Sequence, residues 1–174
     1  MGSTTLSKLG KIIVLTAFFF LIYVIASASI TLLDVVVGLA ASSVVAVLVA
    51  EILVKSPPSK LIDLRRWGWY ILYALHYFTV IEWRAHIDVI RRILHPKMPI
   101  NPGIVRVPYH VVTDYATVLI ANSITNTPGT VVVEVDESRK YYYVHWIDVI
   151  STKEEICYEK ISKTFEKYAK RIFD

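Results

Sequence analysis

Glutamine is absent from this 174-residue chain, and cysteine occurs once, at Cys157. A lone cysteine excludes an intramolecular disulfide framework and any multi-cysteine zinc or iron–sulfur site. The chain also lacks a phosphate-binding glycine loop, a dinucleotide fingerprint, an HExxH pair and a CxxC pair, so the usual signatures of nucleotide, zinc-protease and redox chemistry are missing. Charged residues make up only 20%, against 55% hydrophobic, and the mean hydropathy is +0.49. That balance is too apolar for an ordinary soluble domain and the reverse of a disordered one. Missing glutamine beside plentiful Lys, Glu, Ile, Val and Tyr points to a thermophile.

The net charge of +4 is unevenly placed: residues 1–100 carry 10 Lys/Arg against 5 Asp/Glu, and residues 101–174 carry 9 against 10. The basic half is also the apolar half, which points to a membrane. No basic stripe interleaved with aromatics suggests nucleic acid. Ile12–Leu33 holds no charge for 22 positions, enough to cross about 30 Å of hydrocarbon as a helix. A signal peptide is the competing reading, given Lys8 and Lys11, but the run is too long for one and a second span follows at once. Asp34 interrupts; Val35–Val54 then runs 20 residues with Glu51 as the only charge. Two transmembrane helices joined by a short hairpin are therefore expected, with Ser56-Pro57-Pro58-Ser59 ending the second. Lys8 and Lys11 before the pair, and Lys55, Lys60, Arg65 and Arg66 after it, put both ends in the cytoplasm by the positive-inside rule.

On the second span Gly38, Ser42, Ala46 and Ala50 recur every fourth residue. Such a small-residue row lets another helix approach closely, so it is expected to be a packing interface for a helix of another subunit. Trp67–Leu94 is ambiguous. Its apolar stretch Gly68–Ile81 is short for a span, Trp67, Trp69, Tyr70, Tyr73, Tyr77 and Trp83 fit an aromatic belt, and the part after Glu82 is amphipathic. One long helix along the cytoplasmic interface is the favoured reading. A third crossing is the alternative; it would put residues 95–174 outside and leave Arg84, Arg91 and Arg92 on the wrong side. Pro96, Pro99 and Pro102 then mark a linker.

Beyond the prolines the periodicities are those of a soluble fold. Ile104–Val107 reads as a strand. Thr113 or Asp114 caps a helix to about Asn122 with Ala116, Leu119, Ile120 and Ile124 inward. Thr127-Pro128-Gly129 turns. Thr130–Asp136 alternates Val131, Val133 and Val135 on one face; Glu137–Lys140 turns; Tyr141–Val149 is a second β-branched and aromatic strand. Ser151 or Thr152 opens a last helix to Ile172 with Ile156, Ile161, Phe165, Tyr168 and Ile172 inward. The expected organisation is a transmembrane hairpin (1–55), an interfacial amphipathic helix with a proline linker (56–100), and a small cytoplasmic α+β domain (101–174) of order strand, helix, hairpin, helix.

Little of this is reactive chemistry. Glu82 and His86 are one helical turn apart, a spacing that can begin a metal site but more often forms an ordinary pair. Glu51 is the one candidate ion-handling carboxylate. It falls near the end of its span, where Lys55 one turn on can neutralise it, and Asp34 belongs to the watery hairpin. An ion pathway needs several buried ionisable groups on more than one helix, so this chain is not expected to be a transporter alone. His145 and Asp148, with Asp114, suggest acid–base work, yet 145 and 148 fall on opposite faces of a strand. No catalytic residue, cofactor site or metal set is expected.

Three segments carry a resemblance: Asn101-Pro102-Gly103-Ile104-Val105-Arg106-Val107; Leu119-Ile120-Ala121-Asn122-Ser123-Ile124-Thr125-Asn126-Thr127-Pro128-Gly129-Thr130; and Tyr143-Val144-His145-Trp146-Ile147-Asp148-Val149. In this order they resemble the E-subunit family of multi-subunit Mrp/Mnh-type Na+/H+ antiporters, while the membrane half matches mainly in layout. The resemblance implies a small non-catalytic accessory subunit in the cell membrane, partnered by larger integral membrane subunits that hold most of the proton and cation paths. Related modules occur in archaeal membrane-bound hydrogenases and ferredoxin-linked complexes. The motifs resemble fold signatures and carry over no catalytic residue. A free-standing membrane-anchored module that binds lipid headgroups or a soluble ligand is the alternative.

Overall fold

The computed structural model describes residues 2–53 and 63–174, which form two compact units, Met1–Asp63 and Leu64–Asp174. Lys55, Lys60 and the Ser56–Ser59 helix stop lie outside the described residues.

The first unit is a helical hairpin of α1 (Gly2–Ser27) and α2 (Leu32–Leu53). Two stretches are long and apolar enough to cross a membrane, Lys8–Ser27 and Leu32–Ile52. α2 starts at Leu32, so Asp34 sits in its first turn and not in the loop. Its carboxylate accepts from Thr31 Oγ1 at 2.6 Å and Ser29 Oγ at 2.5 Å, while the Asp34 amide donates to Thr31 Oγ1. This is the reciprocal capping arrangement of a Thr-x-x-acid start, which satisfies amides that the helix itself cannot.

The second unit begins with α3 (Leu64–His76), which passes through a π-helical turn (Tyr77–Ile81) into α4 (Glu82–Leu94). Trp69, Tyr73, Tyr77 and Ile81 belong to the core or pack on it. A strict four-residue repeat outruns a helix of about 3.6 residues per turn, and the wider π turn takes up the difference. Tyr73 and Tyr77 are thus core residues, not members of an aromatic belt. An amphipathic aromatic segment has the same sequence pattern whether it faces protein or headgroups.

β1 (Gly103–Pro108), α5 (Asp114–Asn126), β2 (Thr130–Asp136) and β3 (Tyr141–Trp146) follow. The last helix is built from α6 (Glu154–Cys157), a second π turn (Tyr158–Ser162) and α7 (Lys163–Phe173). The expected order of strand, helix, hairpin, helix is the order found. The sheet runs β1-β3-β2, with β3 antiparallel to both neighbours. β1 and β2 are therefore parallel, joined over one face by α5 and split by β3. Val105, Val107, Tyr142 and Val144 point to the helices and are buried.

Three further expectations need correction. A bulge in β2 leaves Val133 without a partner: Val131 lies opposite His145, but Val135 lies opposite Tyr142. One extra residue inverts the alternation, so the three valines do not share a face, and all three are exposed. The last helix starts at Glu154, two or three residues after the expected cap. Finally, Cys157 rather than Ile156 begins its inward face, continued by Ile161, Phe165, Ala169 and Ile172. Elsewhere the caps agree: Thr113 Oγ1 accepts from the Ala116 amide. Pro128 and Gly129 form the turn after α5, closed by Thr130 N donating to Thr127 O at 3.3 Å, with Gly129 at φ +96°. That is a type II turn, and its third position is where glycine is required.

Candidate functional site

The small-residue row on α2 is filled from within the chain. Gly38, Ser42, Ala46 and Ala50 are all buried, and Ala46 and Ala50 cluster with Leu15 of α1. A Cβ placed on Gly38 would lie 2.6 Å from Tyr23 Cε1 and 3.2 Å from Phe20 Cε2. The helices approach because the row removes side-chain bulk, which is the source of association where lipid offers no hydrophobic drive. The row's occupant is α1, not the helix of another subunit. The opposite surfaces remain apolar and open, with Ile25 and Leu48 each 71% exposed.

Glu51 lies at the end of α2 beside Lys8 of α1, with Nζ to Oε1 at 3.4 Å and both side chains more than half exposed. The neutralising cation among the described residues is thus Lys8, which reaches Glu51 because the hairpin brings the two outer ends together.

The suggested acid–base groups do not converge. Asp148 is bound by Arg92 Nη1 at 2.9 Å, and the same guanidinium holds Asp88 at 2.8 Å and donates to Pro99 O at 2.8 Å. Arg92 therefore ties the end of α4 and the proline segment to the end of β3. His145 is exposed on the outer face of the sheet, opposite Ile104 and Val131. Asp114 opens α5, one residue after the Thr113 cap. Glu82 and His86 form a pair within α4, at 3.6 Å. Among the described residues no group of three His, Cys, Asp or Glu side chains could hold a metal ion.

The polar centre of the second unit is one the sequence reading missed. Glu166 is only 1% exposed yet accepts four bonds: from the His110 amide at 3.0 Å, His110 Nδ1 at 3.3 Å, Tyr158 Oη at 3.3 Å and Lys170 Nζ at 2.6 Å. These bonds offset the cost of burying a carboxylate. They pin the segment after β1 to the last helix. Asp174 extends the clasp by accepting from the amides of Val112 and Thr113 at 3.0 Å each. A glutamate between inward Phe165 and inward Ala169 is the signal that could have found it. Nearby, the Tyr73 hydroxyl bonds Ser123 of α5, and burial pushes that phenol up to about 12. It stays a neutral donor at ordinary pH. These arrangements hold elements together; none aligns a nucleophile with a base.

The geometry is thus that of an apolar hairpin and a small, internally clasped α+β unit. The family model described as MNHE, Na+/H+ ion antiporter subunit, matches residues 16–172. The chain belongs to this family. Its members among known proteins include the E subunit of the Na(+)/H(+) antiporter of Alkalihalophilus pseudofirmus, 40% identical over 57% of this chain and 61% of that protein. Another is the E1 subunit of the Na(+)/H(+) antiporter of Staphylococcus haemolyticus, 38% identical over 55% of this chain and 58% of that protein. The matches thus span about three fifths of these relatives' own lengths. One chain in the solved structure of the membrane-bound sulfane sulfur reductase (MBS), an archaeal respiratory membrane complex, covers more. It is 33% identical with a TM-score of 0.79, covering 94% of this chain and 99% of that one. Both halves of the family's layout are therefore present, and nothing in these likenesses favours a free-standing binding module.

Proposed function

We propose that this chain is an accessory and assembly subunit of a multi-subunit cation/proton antiporter module, non-catalytic by itself. The module stands alone or forms part of an archaeal membrane-bound hydrogenase or related redox complex. The observation that carries the reading is the family match over residues 16–172, supported by the whole-chain likeness to a subunit of an archaeal respiratory complex. The partners are other integral membrane subunits. The test is purification from native membranes through a tag on this chain, followed by mass spectrometry of what accompanies it. Large antiporter-like membrane subunits are expected, with or without hydrogenase-type subunits, and their absence would contradict the reading.

An accessory role fits the charge inventory. Glu51 is the only charge in the Val35–Val54 run, and it sits at a helix end paired with Lys8. Glu51→Gln should therefore leave transport by the assembled complex within about tenfold of wild type, or about 1.4 kcal/mol on the barrier. A larger loss with normal assembly would make Glu51 part of the ion path.

The basic flanks of the spans favour a cell-membrane protein with its C-terminal unit in the cytoplasm. Cys157 cannot report this in the folded chain, because it is fully buried and burial pushes its thiol up. Ser138, in the exposed turn between β2 and β3, is a better position. Ser138→Cys should resist a membrane-impermeant maleimide on intact cells and react once the membrane is opened. Labelling on intact cells would put the C-terminal unit outside.

A further inference from the structure

The helix that opens the second unit is apolar on two sides. Tyr73 and Tyr77 are buried against the domain. On the opposite side, Ile71, Leu75 and Phe78 follow at helical spacing, and beyond the π turn Trp83, Ile90 and Leu94 continue the stripe; exposures run from 50% to 76%. A second apolar stripe of this length, left exposed on a helix already packed against its domain, marks an interaction surface. Three further observations bear on the occupant. Arg84 and Arg91, seven residues apart, are exposed along one flank of the stripe. Of the acids between residues 64 and 94, Glu82 is half-buried beside His86, and Asp88, on the arginine flank, is neutralised by Arg92. The helix begins at Leu64, a short way along the chain from the end of the second membrane-length stretch at Ile52.

We infer that this face, from Ile71 to Leu94, docks on an anionic lipid surface, with the apolar stripe in the acyl boundary and Arg84 and Arg91 among the headgroup phosphates. An apolar stripe carrying tryptophan and flanked by arginine, with no carboxylate on it, matches both layers of such a surface. Arginine near an anionic leaflet adds attraction that a neutral leaflet does not. The inference deepens the expectation of an interfacial helix and rests on the chain's two membrane spans. It does not depend on which complex the chain joins.

The test uses the full chain in vesicles, on a Cys157→Ser background, with a nitroxide at Leu75, at Ile90 or, as the watery reference, at Ser138. Collision with oxygen, which concentrates in lipid, is compared with collision with a water-soluble nickel chelate. In vesicles of phosphatidylcholine and phosphatidylglycerol, labels at Leu75 and Ile90 should favour oxygen and the label at Ser138 should favour nickel. Oxygen preference at Leu75 and Ile90 should fall by about fivefold or more without phosphatidylglycerol, and likewise in the Arg84→Glu, Arg91→Glu double variant. Three results would each overturn the proposal: nickel preference on the stripe; shielding of the stripe from both reagents, which would assign it to a protein partner; and oxygen preference indifferent to lipid charge. Because the vesicles contain this chain alone, co-purification results bear on the proposed complex and leave this outcome separate.

Discussion

Tyr142→Ala should cost the second unit about 3–5 kcal/mol, the range for truncating a large aromatic in a core. Tyr142 is fully buried in the middle strand of the sheet. Its ring stacks on Tyr109 with centroids 4.6 Å apart, and its hydroxyl donates to Thr117 O of α5 at 3.0 Å. One side chain thus joins the sheet, the segment after β1 and the crossover helix. Alanine would leave a cavity beneath all three. Tyr142→Phe separates the contributions: it keeps the ring and loses one hydrogen bond, so about 1 kcal/mol is expected. Chemical denaturation followed through the near-ultraviolet signal of the aromatics would measure both. Equal losses for the two variants would mean that the hydroxyl, and not the ring, organises this core.

Gly38→Leu should part the transmembrane hairpin. The ring of Tyr23 and the edge of Phe20 occupy the space a side chain would need, and overpacking of this kind costs about 1–3 kcal/mol. A leucine that displaces the Tyr23 ring or α1 itself would also loosen the Leu15, Ala46 and Ala50 cluster. Leu39→Ala is the control, because Leu39 is 43% exposed and off the row. Energy transfer between dyes at the Lys8 and Glu51 positions, the two ends brought together in the hairpin, would follow helix separation as dodecyl sulfate is added. Gly38→Leu should separate at clearly lower detergent than wild type, and Leu39→Ala should not. An unchanged midpoint for Gly38→Leu would mean that the row does not hold the pair.

Much of this architecture is legible in residue order. β2 is expected and found at Thr130–Asp136, because an alternating valine run between a Pro-Gly turn and a charged turn leaves few alternatives. The apolar row of α5 and its Thr113 cap follow from spacing alone. The illegible parts share a cause: each depends on what a side chain meets after folding. The bulge at Val133 inverts a face without altering local composition. The π turns at Tyr77–Ile81 and Tyr158–Ser162 re-phase helices whose sequences read as uninterrupted. The row at Gly38–Ala50 announces close packing but not its partner, and α1, the nearest helix in the chain, fills it. Glu166 looks like one more acid on a lysine-rich helix until four donors surround it.

The central claim, membership of a multi-subunit membrane assembly, is tested most directly by blue-native electrophoresis of gently solubilised native membranes, with this chain detected by antibody in a denaturing second dimension. The account predicts that the chain runs in one high-mass band together with larger integral membrane subunits. Migration near the 19.8 kDa of the single chain, or as a simple homodimer, would contradict it.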